Sequence, residues 1–428
     1  MTKSGVRVMA AVLAALLLFS YIHVFAEPST QVDTNVSTQL VKAKSGILME
    51  ANTGETLYEW NPDEKLQIAS VTKVMTMLLI MEALDSGKIK LDDMVTTSEN
   101  AASMGGSQVF LEVGETMSVD DMLKAIAVAS GNDAAVAMAE FISGTEEAFV
   151  EKMNQRAAEL GCVNTHFINC NGLDETTDHY STARDIACIS KELLCHQKIF
   201  DYTTIWMDSL RGGQFGLSNT NKLIRFYQGA NGLKTGSTST AKYCLSATAE
   251  RDGMQLIAVV LCAPSTAERF HSASALLDYG FANYAVADSE KLGITLPAIT
   301  VQGGTESDVR PTGDAIRFVV KKGNQDRVEY EICAEDKVKA PVEEGQKLGE
   351  ILFRIDGEEV ARRDLLAEKS VPRIQFLTMF LRMARRYLTM KKFAGKIFSV
   401  QCRIIKRSQS KKYLPWLLFA MFQVPAGL

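Results

Sequence analysis

"LQIASVTKVMTMLLIMEAL", from Leu66 to Leu84, decides how the chain is read. Val71, Val74, Met75, Leu78, Leu79 and Met81 recur with a helical period, which predicts a strongly buried helix. Ser70 and Lys73 stand three residues apart where that pattern begins, a spacing that puts both side chains on one helix face. A serine hydroxyl becomes a nucleophile when a neighbouring base takes its proton. Lysine, with an ordinary pKa of about 10.4, is neutral in only ~1 of 2,500 copies at pH 7, so a lysine base needs burial or a second cation beside it. The apolar helix supplies burial, and its N-terminal end favours both the neutral amine and a serine alkoxide. The second cation has to come from elsewhere in the chain.

Two later runs supply the missing parts. Ser130-Gly131-Asn132 falls at a break between apolar helical patterns, and Lys234-Thr235-Gly236, followed by Ser237, falls on a predicted strand. Taken singly, the first is an ordinary loop, the second an ordinary strand end, and Ser-x-x-Lys a capped helix with a surface lysine. Taken together and in this order they describe one constellation: a nucleophile, its base, a second hydroxyl, an amide and a second lysine.

The surrounding pattern predicts an α/β fold. "SGILMEANTGETLYEW" reads as a hairpin turning at Asn52-Thr53-Gly54, and "SVDDMLKAIAVAS" opens a helix with Ser118 and Asp121 in capping spacing. "NGLKTGSTS" and "AKYCLSATAERDGMQLIAVVLCAP" read as adjacent antiparallel strands turning at Asp252-Gly253. Strands at both ends with helices between them imply a sandwich whose terminal strands pair in one sheet. From about Ala287, "LPAITVQGG", "AIRFVVKKG", "RVEYEICA" and "LGEILFRIDGEEVARRDLL" alternate in short runs, as in a separate small all-β domain. The expected division is a signal peptide at 1–26, a linker at 27–40, a catalytic domain at 41–286, the β domain at 287–371, an amphipathic helix at 372–390 and an extension at 391–428.

Charge is unevenly distributed. The 428 residues hold 46 Lys and Arg against 51 Asp and Glu, yet Val371 to Leu428 carries 12 basic residues and no acidic one. "RIQFLTMFLRMARRYL" sets Phe376, Leu377, Phe380, Leu381, Ala384 and Leu388 apart from Arg382, Arg385 and Arg386, a pattern suited to an anionic membrane surface rather than nucleic acid. The alternative is a helix packed on the β domain. The last apolar stretch is too short for a confident spanning helix; a second membrane contact and a non-native extension both fit it. At the other end, Lys3 and Arg7, an apolar run and Val24-Phe25-Ala26 form a secretory signal, with an uncleaved anchor as the alternative. Either places the body outside the cytoplasm.

Eight cysteines are too sparse for a disulfide framework, and none has zinc-site spacing. Most read as small core residues. Cys162 and Cys170 flank one short stretch and are close enough in sequence to bridge, although the lack of pattern favours free thiols. His166 and His179 have no metal-site partner and are expected to make structural hydrogen bonds. No G-x-S-x-G run is present, which argues against a Ser-His-Asp hydrolase.

The three runs resemble the serine, Ser-x-Asn and Lys-Thr-Gly motifs of the penicillin-recognising enzymes. "IASVTKVMT", "VASGNDAAVAMAE", "NTHFINCNGLDETTDHYSTARDIA" and "NGLKTGST" narrow the resemblance to the D-alanyl-D-alanine carboxypeptidases of the S11 peptidase family, and "KAPVEEGQKLGEILF" resembles that family's C-terminal β domain. The likeness runs from about Val41 to Val371. It implies a β-lactamase/transpeptidase-like sandwich, with Ser70 as acylated nucleophile, Lys73 as its base and Ser130 as proton relay to the leaving D-alanine. Asn132 would hold the peptide, while Lys234 and Thr235 bind the terminal carboxylate beside Gly236. The backbone N–H groups of Ser70 and Ser237 would form the oxyanion hole. It further implies peptidoglycan stem peptides as substrate, β-lactams as acylating inhibitors, no cofactor and no metal, and a place on the outer face of the cytoplasmic membrane. Asn231, Ser237 and Cys170 depart from residues common in the family (Asp, His and Pro), which bears on substrate preference. A β-lactamase of the same fold is the nearest rival, disfavoured because no Glu-x-x-Leu-Asn segment lies between Asn132 and Lys234. A non-catalytic peptidoglycan-binding protein is the other.

Overall fold

The computed structural model describes residues 40–376 apart from 174–175 and 314, together with 378–381, 385 and 387. The expected signal peptide lies outside the described residues, as do the extension at 391–428 and much of the helix at 372–390. Among the described residues no helix is long and apolar enough to cross a membrane.

The hairpin of β1 (Ser45–Glu50) and β2 (Thr56–Trp60) turns where the Asn-Thr-Gly signal places it. Three strands near the far end of the catalytic segment, β3 (Ala230–Thr238), β4 (Lys242–Arg251) and β5 (Met254–Ala263), complete an antiparallel sheet in the order β2-β1-β5-β4-β3. The two chain-distant segments join through β1 and β5, with Ile47 opposite Val259.

Both faces of this sheet are covered, and the alternation of side chains sorts them. Ile47, Met49, Ile257 and Val259 face the helical core, whereas Leu48, Leu256, Ala258 and Val260 face the other way, onto Leu276, Leu277 and Phe281. The helical side holds α1 (Lys73–Asp85), α2 (Val119–Ala127), α3 (Asn132–Ser143), α4 (Glu146–Glu159) and α5 (Ala183–Cys195); α6 (Thr266–Asn283) covers the opposite face. Ser118 caps α2 by accepting from the Asp121 N–H, as its spacing predicts. A helix of this kind normally buries one stripe, but α1 is apolar all round, and Val74, Met75, Met77, Leu78, Ile80 and Met81 are each at most 1% exposed. Each such side chain contributes roughly 1.5–3 kcal/mol of burial. That burial also draws Lys73, the first residue of α1, into the interior.

The four alternating runs after Ala287 all contain strands: Ile299–Gln302, Arg317–Lys321, Glu329–Ala334, and the pair Lys347–Ile355 and Glu358–Ala367. They enclose two small cores, one around Phe318, Phe353 and Leu365, the other around Ile299, Val309 and Val371. The strand Tyr284–Asp288 pairs with Arg317–Lys321 and carries the chain out of α6 into this unit.

Two glycines let the chain close around Ser70. A Cβ on Gly236 of β3 would lie 2.7 Å from the Ile68 carbonyl oxygen and 2.9 Å from the Ser70 and Val71 nitrogens. On Gly172, whose φ is +80°, it would lie 2.0 Å from the Ala69 carbonyl oxygen. Gly236→Ala is therefore expected to cost about 1–3 kcal/mol of stability and to slow serine acylation by about tenfold or more. Gly216→Ala, with nothing within 4 Å of the added carbon, is expected to change neither; urea denaturation and penicillin labelling measure both effects.

Candidate active site

Ser70 does not sit in α1 itself. It lies in a single 3₁₀ turn, Ala69–Thr72, that leads into α1, and Ala69 adopts a positive φ of 47°. An alanine held there is strained, and the surroundings fix it: Thr72 Oγ1 donates to the Ala69 carbonyl at 2.8 Å and also meets the His179 ring at 2.7 Å. His179 accepts from the Ile168 N–H as well, and His166 pairs with the Asp178 carbonyl, so both histidines serve the local backbone.

Lys73 is wholly buried, and its Nζ lies 3.1 Å from Ser70 Oγ, 2.5 Å from Asn132 Oδ1 and 2.7 Å from the Asn171 carbonyl oxygen. Burial brings its pKa down from 10.5 to about 7. The partners explain how the neutral form is oriented. A neutral amine has two N–H donors and one lone pair. Asn132 Oδ1 and the Asn171 carbonyl can only accept, so they take the two N–H groups, and the lone pair is left facing the third hydrogen-bond partner, the Ser70 hydroxyl. Cys170, also fully buried, is kept protonated by burial, so it sets no thiolate charge against Lys73.

Asn132 opens α3, and its amide is fixed at both ends, since Nδ2 donates to the Gly105 carbonyl at 2.7 Å. Its own N–H donates to the Ser107 carbonyl. Ser130, two residues earlier, is held at φ +64°, buried, and its Oγ makes no hydrogen bond among the described residues. A buried hydroxyl without a partner costs about 1–3 kcal/mol, which a substrate group would recover.

Lys234, on β3, is 1% exposed and donates to its neighbour's carbonyl, that of Thr235, at 2.9 Å. Burial and then the charge of Lys73 hold its pKa well below the usual range. The sequence calls for a second cation acting on Lys73, but the cause that lowers Lys73 is burial, against the opposing pull of any charge on Cys170 and of Asp133. Thr235 Oγ1 donates to Thr220 Oγ1 at 2.6 Å, and Ser237 follows as an exposed residue near the end of the strand. All eight residues expected from the sequence thus fall on the Ser70 turn, the start of α1, the entry to α3 and the last part of β3.

Other contributors carry no sequence signal of their own. Asn171 acts through a backbone carbonyl, which no side-chain pattern marks. Asp133, buried behind Asn132, accepts from the N–H groups of Val109, Leu111 and Ala134. Arg211 grips the same loop through the Val109 and Phe110 carbonyls and an ion pair with Glu115. Arg269, in the first turns of α6, is buried, donates to the Gly236 carbonyl at 3.2 Å and leaves Nε without a hydrogen-bond partner among the described residues. Lys234 and Arg269 form no ion pair among the described residues, so two buried positive groups lie beside β3 without a carboxylate. No cluster of metal-ligating side chains occurs among the described residues.

A serine activated by a buried lysine, with a second hydroxyl and an unpaired cationic strand end, defines a penicillin-recognising serine enzyme. Residues 32–265 match the D-alanyl-D-alanine carboxypeptidase family, peptidase S11, and residues 295–373 match the C-terminal domain of penicillin-binding protein 5. The chain belongs to the S11 peptidase family. It is 48% identical over 346 residues to the D-alanyl-D-alanine carboxypeptidase DacF of Bacillus subtilis, covering 80% of this chain and 89% of the relative. Penicillin-binding protein 5 from Haemophilus influenzae superposes with a TM-score of 0.71 at 32% identity, covering 78% of this chain and 98% of that one. Penicillin-binding protein D2 from Listeria monocytogenes, solved in its ampicillin-bound form, superposes at 0.52 with 32% identity over 56% of this chain and 98% of its own.

Acylation by a neutral Lys73 is expected to rise about tenfold per pH unit below about 7 and to level off above it. Asn132→Asp sets a carboxylate against the amine, raises its pKa and should move that midpoint to higher pH. Stopped-flow acylation by a chromogenic cephalosporin measures both profiles; an unshifted midpoint in the variant contradicts the assignment.

Proposed function

We propose that this serine-type D-alanyl-D-alanine carboxypeptidase removes the terminal D-alanine from peptidoglycan stem pentapeptides through an acyl-enzyme on Ser70. The observation that carries this is the hydrogen bond between Lys73 Nζ and Ser70 Oγ, with both remaining acceptors of the amine unable to donate.

Lys73 takes the Ser70 proton as the oxygen attacks the carbonyl carbon of the penultimate residue. The oxyanion is stabilised by the N–H groups of Ser70 and Ser237. Ser130 passes a proton to the amine of the departing D-alanine, with Lys73 replenishing it. The terminal carboxylate lies against Lys234, Thr235 and Arg269, which supplies the charge those buried groups lack. Water then cleaves the ester. Asn171 meets Lys73 with a carbonyl, which cannot take a proton from that water as a carboxylate would; this favours a slowly deacylating penicillin target over a β-lactamase. β-Lactams acylate the same serine.

The signal-like N-terminus and the basic, apolar C-terminus support export and peripheral attachment to the outer face of the cytoplasmic membrane.

Stem pentapeptide incubated with the protein should release free D-alanine, and Ser70→Ala should abolish release while leaving the fold intact. Amidating the peptide's terminal carboxylate should lower turnover by about 10²-fold or more, because buried cations are then left unpaired. Retained release in Ser70→Ala overturns the assignment. Separately, the processed protein is expected to sediment with anionic phospholipid vesicles and to lose that binding when residues 372–428 are removed; recovery wholly in the supernatant contradicts the membrane reading.

A further inference from the structure

The Asn171 carbonyl that meets Lys73 belongs to a loop fastened to the helical layer through successive peptide units. Cys170, a free thiol like Cys162, donates its N–H to Glu146 Oε1 at 3.0 Å, in the first turn of α4, and its carbonyl accepts from Thr76 Oγ1 of α1. The next carbonyl, that of Asn171, accepts from Lys73 Nζ at 2.7 Å. Lys73 and Thr76 stand three residues apart in α1 and share one of its faces, so two consecutive carbonyls of the loop lie along that face.

Behind the same two peptide units stands a single atom, Asn169 Oδ1. It accepts from the Asn171 N–H at 3.2 Å and from the Gly172 N–H at 2.6 Å. In a planar trans peptide the N–H and the C=O point in opposite directions. The Gly172 N–H and the Asn171 carbonyl belong to one such unit, so the oxygen that takes the first fixes where the second points. A peptide that donates at one end is also a stronger acceptor at the other. Gly172, at φ +80°, has no side chain that would hold this unit by itself. The Asn169 amide is oriented in turn by its Nδ2, which donates to the Leu173 carbonyl at 3.3 Å. The Asn171 side chain is engaged elsewhere, its Oδ1 accepting from the Leu173 N–H at 2.8 Å.

We propose that Asn169 is a positioning residue for Lys73: its side-chain oxygen holds the Asn171–Gly172 peptide so that the carbonyl takes one N–H of the amine and the lone pair stays on Ser70. This rests on Lys73 being the base for Ser70. Without the Asn169 oxygen the peptide unit is free to turn over, and the amine loses one of its two acceptors. The lone pair is then no longer confined, so acylation slows. The ammonium also loses a partner that favours the charged form, so the proton leaves at lower pH. A loop that is merely loosened acts in the opposite sense, because water reaching Lys73 raises its titration toward that of an exposed lysine. The titratable groups facing this end of α1 are Cys170 in the loop with Glu146 of α4 behind it, Asp133 of α3, His179 beside Thr72 and Lys234 on β3. Asn169→Ala alters the charge of none of them.

The test is stopped-flow acylation by a chromogenic cephalosporin over about pH 5–9, with the parent, Asn169→Ala and Asn169→Asp in the full chain and a Tm for each. Both variants give up the Nδ2 contact to Leu173, so the difference between them reports the accepting oxygen and its charge. Asn169→Ala is expected to lower the plateau rate about tenfold or more and to move the midpoint down by about half a pH unit or more. Asn169→Asp keeps the acceptor, so its plateau should stay within about threefold of the parent, while the added negative charge moves its midpoint up. The proposal is overturned if folded Asn169→Ala keeps the parent's rate and midpoint, if its midpoint rises, or if folded Asn169→Asp loses the plateau. A parent profile with no step near pH 7 overturns the base assignment and this proposal with it; an ordinary parent profile beside an unchanged alanine variant overturns this proposal alone. Where Asn169→Ala does not fold, Asn169→Asp decides.

Discussion

Everything at this site depends on keeping the amine of one lysine out of water. An ammonium in an apolar interior is expensive, and the protein lowers that cost by allowing the proton to leave. The same burial that stabilises α1 thus makes Lys73 a base near neutral pH. Two neighbours that can only accept then settle where its lone pair points.

The rest of the catalytic domain serves that arrangement from two sides. β3 comes against the Ser70 turn because Gly236 has no side chain to obstruct it, and the segment bearing Asn171 comes against Ala69 because Gly172 has none. Behind Asn132, the loop through Val109 is clamped by the buried carboxylate of Asp133 and the guanidinium of Arg211. Each clamp is a charge-assisted set of hydrogen bonds, stronger than neutral ones. The price is two buried basic groups, Lys234 and Arg269, held beside β3 with no carboxylate among the described residues to meet them, and a bound substrate carboxylate would offset it.

Much of this was legible in the sequence because it depends on local period and spacing. The apolar run after Ser70 had to be a buried helix, and Lys73 had to enter with it. The strand-like runs around Ile47 and Val259, with their turn signals, marked the sheet, but not that helices cover both of its faces. The Ser130, Asn132, Lys234 and Thr235 positions were legible only jointly, since each run alone is commonplace. What stayed hidden acts through atoms or distances that residue type does not reveal. Asn171 contributes a carbonyl, Asp133 looks like any acidic residue in a first helical turn, and Arg269 is a lone cation whose partner in the strand is 33 positions away. The 3₁₀ turn at Ser70 was likewise invisible, because its apolar flank suits either helix type.

The most direct test is the protonation of Lys73 itself. With lysine side chains labelled at the ε carbon and Lys73 assigned through Lys73→Arg, NMR titration of the folded protein should show one signal moving with a midpoint near pH 7, separate from the surface lysines near 10.4. A Lys73 signal that stays protonated through pH 9 would contradict the account, because the amine could not then serve as the base for Ser70.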